Sequence, residues 1–215
     1  MKLPAKNRVA SLDVDAQYTF TPVCPDELPV PGGDTIAGEL NQQATLAAWR
    51  LGSKDAHSPQ ALWVSSDQHP PLSPIAGANM DIRWPRHAVP GTRGFELLDG
   101  LPRPADYDFF VWKGVEPDMH PYGACYHDLA ENMSTGMIEY LRDREVSTVL
   151  VGGLATDYCV RHTVLQLLDA GFSVVVNRSA IRGVADESSR HAIAEMLQHG
   201  AHFVHDSAQL EQADD

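Results

Sequence analysis

The hydrophobic positions of this chain follow two different spacings. Short apolar runs, such as Val149 to Val151, are typical of strands covered on both faces. Other stretches place apolar residues three or four positions apart, as at Val160, Val164, Leu167 and Leu168, which predicts a helix with one packed face. The predicted strands are Arg8 to Val14, Ala61 to Ser66, Tyr107 to Trp112, Thr148 to Gly152, Ser173 to Asn177 and Ala201 to Val204. The predicted helices are Thr35 to Leu51, Asn132 to Arg144, Asp157 to Ala170 and Glu187 to Gln198.

Alternating strands and helices predict a mostly parallel sheet with helices on both faces. We therefore expect one Rossmann-like α/β domain over residues 1–215, built on a six-stranded sheet, since this length can enclose a substantial core. In such sheets, ligands bind beyond the carboxyl ends of the strands, near the point where the strand order reverses. Two long stretches rich in Pro and Gly, Thr21 to Gly33 and Pro70 to Pro104, are candidates for functional or mobile loops.

Cys159 is placed by this pattern at the turn between a buried strand and a helix. Thr156 or Asp157 can cap the helix, which puts Cys159 in its first turn. Backbone N–H groups and the positive end of the helix dipole favour a thiolate there, and the thiolate is the nucleophilic form. The alternative is that Cys159 is a small buried hydrophobic residue.

Two further polar residues come at the ends of predicted strands. Asp15 follows the first strand and Lys113 follows the third. Together with Cys159 they would bring a carboxylate, an ammonium group and a thiol to one edge of the sheet, which is an arrangement that activates a nucleophile. Asp13 lies within the first strand, either as a solvated edge residue or as a hydrogen-bonded buried carboxylate.

A metal site is suggested after the second predicted strand. Asp67 and His69 are two positions apart, so in an extended segment their side chains point the same way, and His87 in the long loop is a third candidate ligand. One carboxylate and two imidazoles suit a divalent ion, with zinc as the first expectation and iron or manganese as alternatives.

A rival pair with the same spacing is formed by Asp55 and His57. These residues precede the second predicted strand, which would put them at the opposite edge of the sheet, in a solvated loop. The remaining histidines have no spacing that indicates a partner, and these include His120, His127 and His162.

The net charge and the cysteines restrict the partners and the cellular location that we expect. Sixteen basic and 29 acidic residues give a formal charge of −13, which argues against nucleic acid or an anionic membrane surface as the main partner. No apolar run approaches the roughly 18 residues of a membrane span, and the N-terminus does not resemble a signal peptide. Three widely separated cysteines favour a reduced, cytoplasmic location. The oligomeric state is open, with a homo-oligomer among the alternatives.

Taken together, the motifs resemble those of nicotinamidases, within the isochorismatase-like cysteine hydrolases. The matching segments are D-A-Q-Y-T-F at 15–20, V-P-G-G-D at 30–34, S-D-Q-H at 66–69, W-P-R-H-A-V-P-G-T at 84–92, K-G at 113–114 and G-L-A-T-D-Y-C-V at 153–160. This resemblance implies an isochorismatase-like fold. It also implies an amidase of NAD salvage that converts nicotinamide to nicotinate and ammonia through a thioester.

The resemblance also implies roles for individual residues. Cys159 would be the nucleophile, Asp15 the acid and base, and Lys113 the group that orients them. Backbone N–H groups of Ala155 and Cys159 would form the oxyanion hole, with a cis peptide between Leu154 and Ala155. The metal held by Asp67, His69 and His87 would bind the pyridine nitrogen and ordered waters. The substrate-binding residues would be Phe20, Trp84, Tyr122 and Tyr158.

The chain departs from the family pattern after Lys113, at Gly123, Cys125 and Tyr126, which leaves substrate detail open, including the acceptance of pyrazinamide-like analogues. A fourth metal ligand is also open. The candidates are Ser73, Asn79, Asp81 and water. Two other functions compete with the first. One is a metal-free amide hydrolase of the same superfamily acting on a carbamoyl or ureido substrate, and the other is a non-catalytic binding protein on the same fold.

Overall fold

The computed structural model describes residues 1–212, and its centre is a six-stranded parallel sheet with the order β3-β2-β1-β4-β5-β6. The strands are β1 (Val9–Val14), β2 (Trp49–Asp55), β3 (Phe109–Lys113), β4 (Thr148–Leu154), β5 (Ser173–Arg182) and β6 (His202–Val204). The α-helices are α1 (Ala37–Ala44), α2 (Met137–Asp143), α3 (Arg161–Asp169) and α4 (Asp186–Gln198). Within residues 1–212, no helix combines the length and the apolar character that crossing a membrane requires.

Helices cover both faces of the sheet, as the sequence predicts. Ala10, Leu12 and Val14 of β1 share one hydrophobic core with side chains of α2, α3 and α4. Ser11 points to the other face, where its Oγ accepts a hydrogen bond of 3.2 Å from Gln43 of α1. Because successive side chains of a strand point to opposite faces, α1 lies on the face opposite to the other three helices.

Five strands occur where they were predicted, with shifted ends, but the prediction for the second strand is wrong. The predicted strand Ala61 to Ser66 is irregular and forms only an isolated bridge at Val64. The second strand is instead β2, part of which was assigned to the helix Thr35 to Leu51. That helix ends at Ala44.

The sequence W-R-L-G-S-K-D forms a strand because each of its basic side chains has a partner. Arg50 donates to Asp13 Oδ2 through Nη2 at 2.7 Å and through Nε at 3.0 Å. Lys54 Nζ lies 3.5 Å from the centre of the Phe95 ring, a cation–π contact. These contacts involve residues 37 and 41 positions away along the chain, so the local pattern does not indicate them.

Asp13 is the hydrogen-bonded buried carboxylate of the two alternatives. Its side chain is 2% exposed, and it accepts hydrogen bonds from Arg50 and from the Tyr107 hydroxyl at 2.9 Å. Burial raises the pKa of Asp13, although Arg50 and Tyr107 act in the opposite direction. Asp13 therefore holds β1, β2 and the start of β3 together and lies outside the chemistry described below.

Replacing Arg50 with glutamine is expected to destabilise the protein at pH 7 by about 3 kcal/mol, because it leaves a buried carboxylate without its cation. The loss should shrink at lower pH, since Asp13 then becomes neutral. Chemical denaturation measures both effects. Arg8→Gln is the matched control, because Arg8 pairs with Glu145 at 3.6 Å on the exposed surface, and it should change stability by less than about 1 kcal/mol. Equal losses of stability in Arg50→Gln and Arg8→Gln would contradict the conclusion that Arg50 stabilises the buried carboxylate of Asp13.

Candidate active site

Four polar side chains meet at the carboxyl edge of the sheet. Asp15 follows β1, Asp55 and Lys113 are the last residues of β2 and β3, and Cys159 lies five residues beyond β4. On one side of the sheet β1 is followed by β2 and β3, and on the other side β4 is followed by β5 and β6. The strand order therefore reverses between β1 and β4. The site therefore lies at the predicted edge and at the position where sheets of this class bind ligands.

Lys113 is the centre of this group. Its Nζ lies 2.9 Å from Asp15 Oδ2 and 3.8 Å from Cys159 Sγ, and it also donates to Asp55 Oδ1. Asp15 and Lys113 are fully buried and Cys159 is 6% exposed. Asp15 Oδ1 accepts a further hydrogen bond of 2.7 Å from Ser53. The predicted convergence of the carboxylate, the ammonium group and the thiol is present in the structure.

The local structure around Cys159 differs from the predicted first turn of an α-helix. Thr156–Val160 forms a π-helical turn, in which the N–H of Val160 donates to Ala155 O at 3.1 Å, and α3 begins only at Arg161. The peptide bond between Leu154 and Ala155 is cis, as the family resemblance of the motifs implies.

The electrostatics at Cys159 also differ from the expectation of a stabilised thiolate. Burial, together with the negative charges of Asp15 and Asp55, raises the pKa of the Cys159 thiol well above its usual value, despite the opposing effect of Lys113. Burial raises the pKa of Asp15 to about 6, with Lys113 opposing the shift. Burial alone would lower the pKa of Lys113, but the two carboxylates and the sulfur raise it well above its usual value. At neutral pH the site therefore holds a neutral thiol beside a carboxylate that can take its proton.

A cluster of three histidines lies beside these residues. His57, His87 and His120 are all buried, and one nitrogen from each lies within 4.8 Å of the others. Asp55 Oδ2 is 3.5 Å from His57 Nε2 and 3.9 Å from His87 Nε2. Burial lowers the pKa of His57, although Asp55 opposes this, so the imidazole is favoured in its neutral form.

The hydrogen bonds of His57 and His87 fit metal ligation. His57 Nδ1 lies 3.1 Å from Gly114 O, and His87 Nδ1 lies 2.7 Å from Pro85 O. A carbonyl oxygen can only accept, so each Nδ1 carries the proton and each Nε2 carries a lone pair. Both lone pairs are on the side of Asp55, and a backbone carbonyl fixing the opposite ring nitrogen is the usual support of a metal-binding histidine.

The predicted ligand set of Asp67, His69 and His87 is corrected by this arrangement. Asp67 and His69 are exposed, and among residues 1–212 neither belongs to a group of three His, Cys, Asp or Glu residues that could hold a metal ion. The physical reason is the second strand, because it ends at Asp55. The rival pair Asp55 and His57, predicted to be a solvated loop at the far edge, is therefore buried at the carboxyl edge.

The neighbouring cavity has aromatic walls. Cys159, Ala155 and Asp55 lie on its surface. All four predicted substrate-binding residues line it, namely Phe20, Trp84, Tyr122 and Tyr158. The Trp84 and Tyr158 rings pack edge to face, with their centroids 4.8 Å apart. Leu28 from the first long loop and Trp84 from the second also line the cavity, so parts of both loops predicted to be functional or mobile form its wall.

Three residues of the site were missed by the sequence predictions: Asp55, His57 and His120. The first two carry a visible signal, their Asp-x-His spacing, which was outweighed by the wrong second strand. His120 has no spacing signal. It reaches the cluster from the irregular segment after β3, where its ring packs at 4.5 Å from Trp63.

Comparison with known proteins agrees with this geometry. The isochorismatase domain profile matches residues 42–207, and the chain belongs to the isochorismatase family. It is similar to the nicotinamidase of Acinetobacter baylyi, with 30% identity over 93% of this chain and 94% of the relative. Among solved structures, it resembles an Acinetobacter baumanii nicotinamidase and pyrazinamidase, with a TM-score of 0.84, 27% identity and coverage of 94% of this chain and 98% of the other. It also resembles a Pyrococcus horikoshii pyrazinamidase in complex with zinc, with a TM-score of 0.73, 28% identity and coverage of 92% and 98%.

Proposed function

We propose that this protein is a nicotinamidase that hydrolyses nicotinamide to nicotinate and ammonia through a thioester on Cys159, a reaction of NAD salvage. The observation that carries the proposal is Lys113 Nζ within 2.9 Å of Asp15 and 3.8 Å of Cys159, at the surface of an aromatic cavity. Nicotinamidases among the relatives, at about 30% identity over nearly the whole chain, support the choice of substrate.

The residues divide the chemistry between them. Asp15 takes the proton of the Cys159 thiol, and the sulfur then attacks the carboxamide carbon. Backbone N–H groups of Ala155 and Cys159 stabilise the negative charge that develops on the carbonyl oxygen. Asp15 gives the proton to the departing ammonia, and water then hydrolyses the thioester with Asp15 again acting as base. Lys113 keeps the carboxylate and the sulfur in place and balances their charge.

Asp55, His57 and His87 are the residues we assign to a divalent metal. Their donor set of one carboxylate and two imidazoles fits zinc, with iron or manganese as alternatives. A bound ion would supply a Lewis acid that holds and orients the pyridine ring of the substrate. The zinc in the pyrazinamidase structure supports the choice of zinc. Phe20, Trp84, Tyr122 and Tyr158 would form the walls around the ring.

Ammonia release by the purified protein tests the proposal against the two competing functions. Nicotinamide is the substrate, and the assay is repeated after metal chelation and with Cys159→Ala. We expect loss of activity in both cases. Loss only in the variant would favour a metal-free amidase. No release from the untreated protein would overturn the proposal in favour of a binding protein or another substrate.

The pH dependence should report Asp15. The carboxylate is the active base, so activity is present above its pKa and is lost as the pH falls through it. With the pKa raised to about 6, kcat/KM should fall about tenfold per pH unit below pH 6, whereas an ordinary aspartate would hold activity to about pH 4. Ser53→Ala removes a hydrogen bond that lowers this pKa, so the acid limb should move to higher pH. A limb near pH 4 that Ser53→Ala leaves unmoved would refute the assignment.

A further inference from the structure

We infer that His120 is a protein ligand of the metal, which makes the donor set one carboxylate and three imidazoles. The inference rests on the metal-binding part of the proposed function and extends it to a residue outside the Asp-x-His and Trp-Pro-x-His motifs. It also answers the question of the fourth ligand, since the position is taken by the segment after β3.

The ring nitrogens of His120 provide the first argument. The side chain is 4% exposed, and within residues 1–212 neither Nδ1 nor Nε2 has a hydrogen-bond partner. A buried polar atom that loses water without gaining a partner is unfavourable. A metal ion bound by the lone pair of the neutral ring would satisfy one of these two nitrogens.

The position of the ring provides the second argument. Its centroid lies 5.0 Å from that of His57, in a stacked arrangement, and 5.8 Å from that of His87. One nitrogen from each of the three rings falls within 4.8 Å of the others. In a tetrahedral zinc site with bonds of 2.0–2.1 Å, ligand nitrogens are about 3.4 Å apart. Each pair of nitrogens therefore has to approach by at most about 1.4 Å, the difference between 4.8 and 3.4 Å.

The surroundings hold His120 in this position. Trp63 contacts the ring edge to face at 4.5 Å, and Trp84 stacks on it at 5.9 Å. The backbone is fixed as well, because the N–H of His120 donates to Asn79 O at 2.8 Å and Met119 O accepts from Trp63 Nε1 at 3.0 Å. A ring held by apolar neighbours, whose nitrogens have no hydrogen-bond partner in the described part of the chain, is arranged for ligation.

With four protein donors in place, the residues that the sequence offered as a fourth ligand are left without that role. Ser73, Asn79 and Asp81 are not needed as ligands, and Asp81 instead accepts a hydrogen bond of 2.7 Å from the Tyr122 hydroxyl. Zinc can expand to five ligands, so a substrate atom or water can still bind when four protein donors are present.

X-ray absorption at the zinc edge tests the inference on the full chain, stripped with a chelator and reloaded with zinc. We expect scattering from three imidazoles in the native protein and from two in His120→Gln. The zinc Kd of His120→Gln should rise at least 10- to 100-fold, the range measured even for residues that only support ligands. His162→Gln is the matched control, because the rings of both histidines contact Tyr122, with centroids 5.1 Å away for His120 and 5.0 Å away for His162, but His162 lies outside the cluster. It should retain the native spectrum and Kd.

Two imidazoles in the native protein, or no zinc binding, would overturn the inference, as would a His120→Gln variant with unchanged spectrum and Kd. If His120→Gln fails to fold by circular dichroism, the native spectrum decides alone. Nicotinamide hydrolysis is measured separately on the same samples. Three imidazoles without hydrolysis would reject the proposed function and keep this inference, and hydrolysis with two imidazoles would do the reverse.

Discussion

Cys159→Ala is expected to lower kcat/KM for nicotinamide by about 10⁴-fold or more, because removal of a nucleophile from a cooperating group of residues eliminates most of the catalysis. Cys159 Sγ is the sulfur that lies 3.8 Å from Lys113 Nζ and at the surface of the aromatic cavity. Among the described residues that line this cavity, only Cys159 carries a sulfur atom. Steady-state ammonia release measures the loss.

The control for this variant is Cys24→Ala, in which a half-buried cysteine outside the group is removed. It should retain native kcat/KM. Thermal unfolding of both variants should show that the fold is intact. Residual activity within tenfold of native in Cys159→Ala would show that the sulfur is not the nucleophile, and the thioester would have to be abandoned.

His57→Gln is expected to raise the zinc Kd by at least 10- to 100-fold and to lower kcat/KM by about 100-fold or more. The reason is that His57 Nε2 is buried, has no hydrogen-bond partner among residues 1–212 and lies 3.5 Å from Asp55 Oδ2, so its loss removes a fixed lone pair from the site. Zinc titration by calorimetry and ammonia release measure the two effects. Added zinc should restore part of the activity if the variant only weakens binding.

His69→Gln is the matched comparison, because His69 occupies the same position in the other Asp-x-His pair of the chain. Its side chain is exposed, so the substitution should leave both zinc affinity and activity at native values. A loss in His69→Gln with normal behaviour in His57→Gln would restore the ligand set predicted from the sequence alone and would mean that the second strand is wrongly placed.

The meeting of Asp15, Lys113 and Cys159 was predictable from the sequence for a local reason. Asp15, Lys113 and Cys159 each follow a strand that its own residues identify, and parallel strands bring their carboxyl ends to one edge. Knowing where three strands end is therefore enough to predict that polar side chains at or shortly after those ends lie close together. The aromatic residues Phe20 and Trp84 were predicted from motifs that resemble those of a known family. Such motifs are short segments of the chain, so this prediction is local as well.

The arrangement of Asp55 with the three histidines was not predictable in this way, since it depends on partners distant in the chain. Arg50 and Lys54 are stabilised in β2 by Asp13 and by the Phe95 ring, so a charged segment forms a strand that hydrophobicity does not reveal. Because the second strand was predicted at the wrong place, Asp67 and His69 were assigned to the site, and Asp55 and His57 were assigned to the surface.

The sequence by itself predicted the class of fold, the edge of the sheet that carries the site, and the meeting of Asp15, Lys113 and Cys159 at that edge. Each of these depends on short apolar runs and on the residue that follows them. Only the tertiary structure decided which carboxylate and histidines face one another, that His120 joins them, and that burial keeps the Cys159 thiol protonated. The physical reason is that ligation and pKa depend on which atoms lie within a few ångströms and on how much water they exclude, and in this protein those atoms belong to segments far apart in the chain.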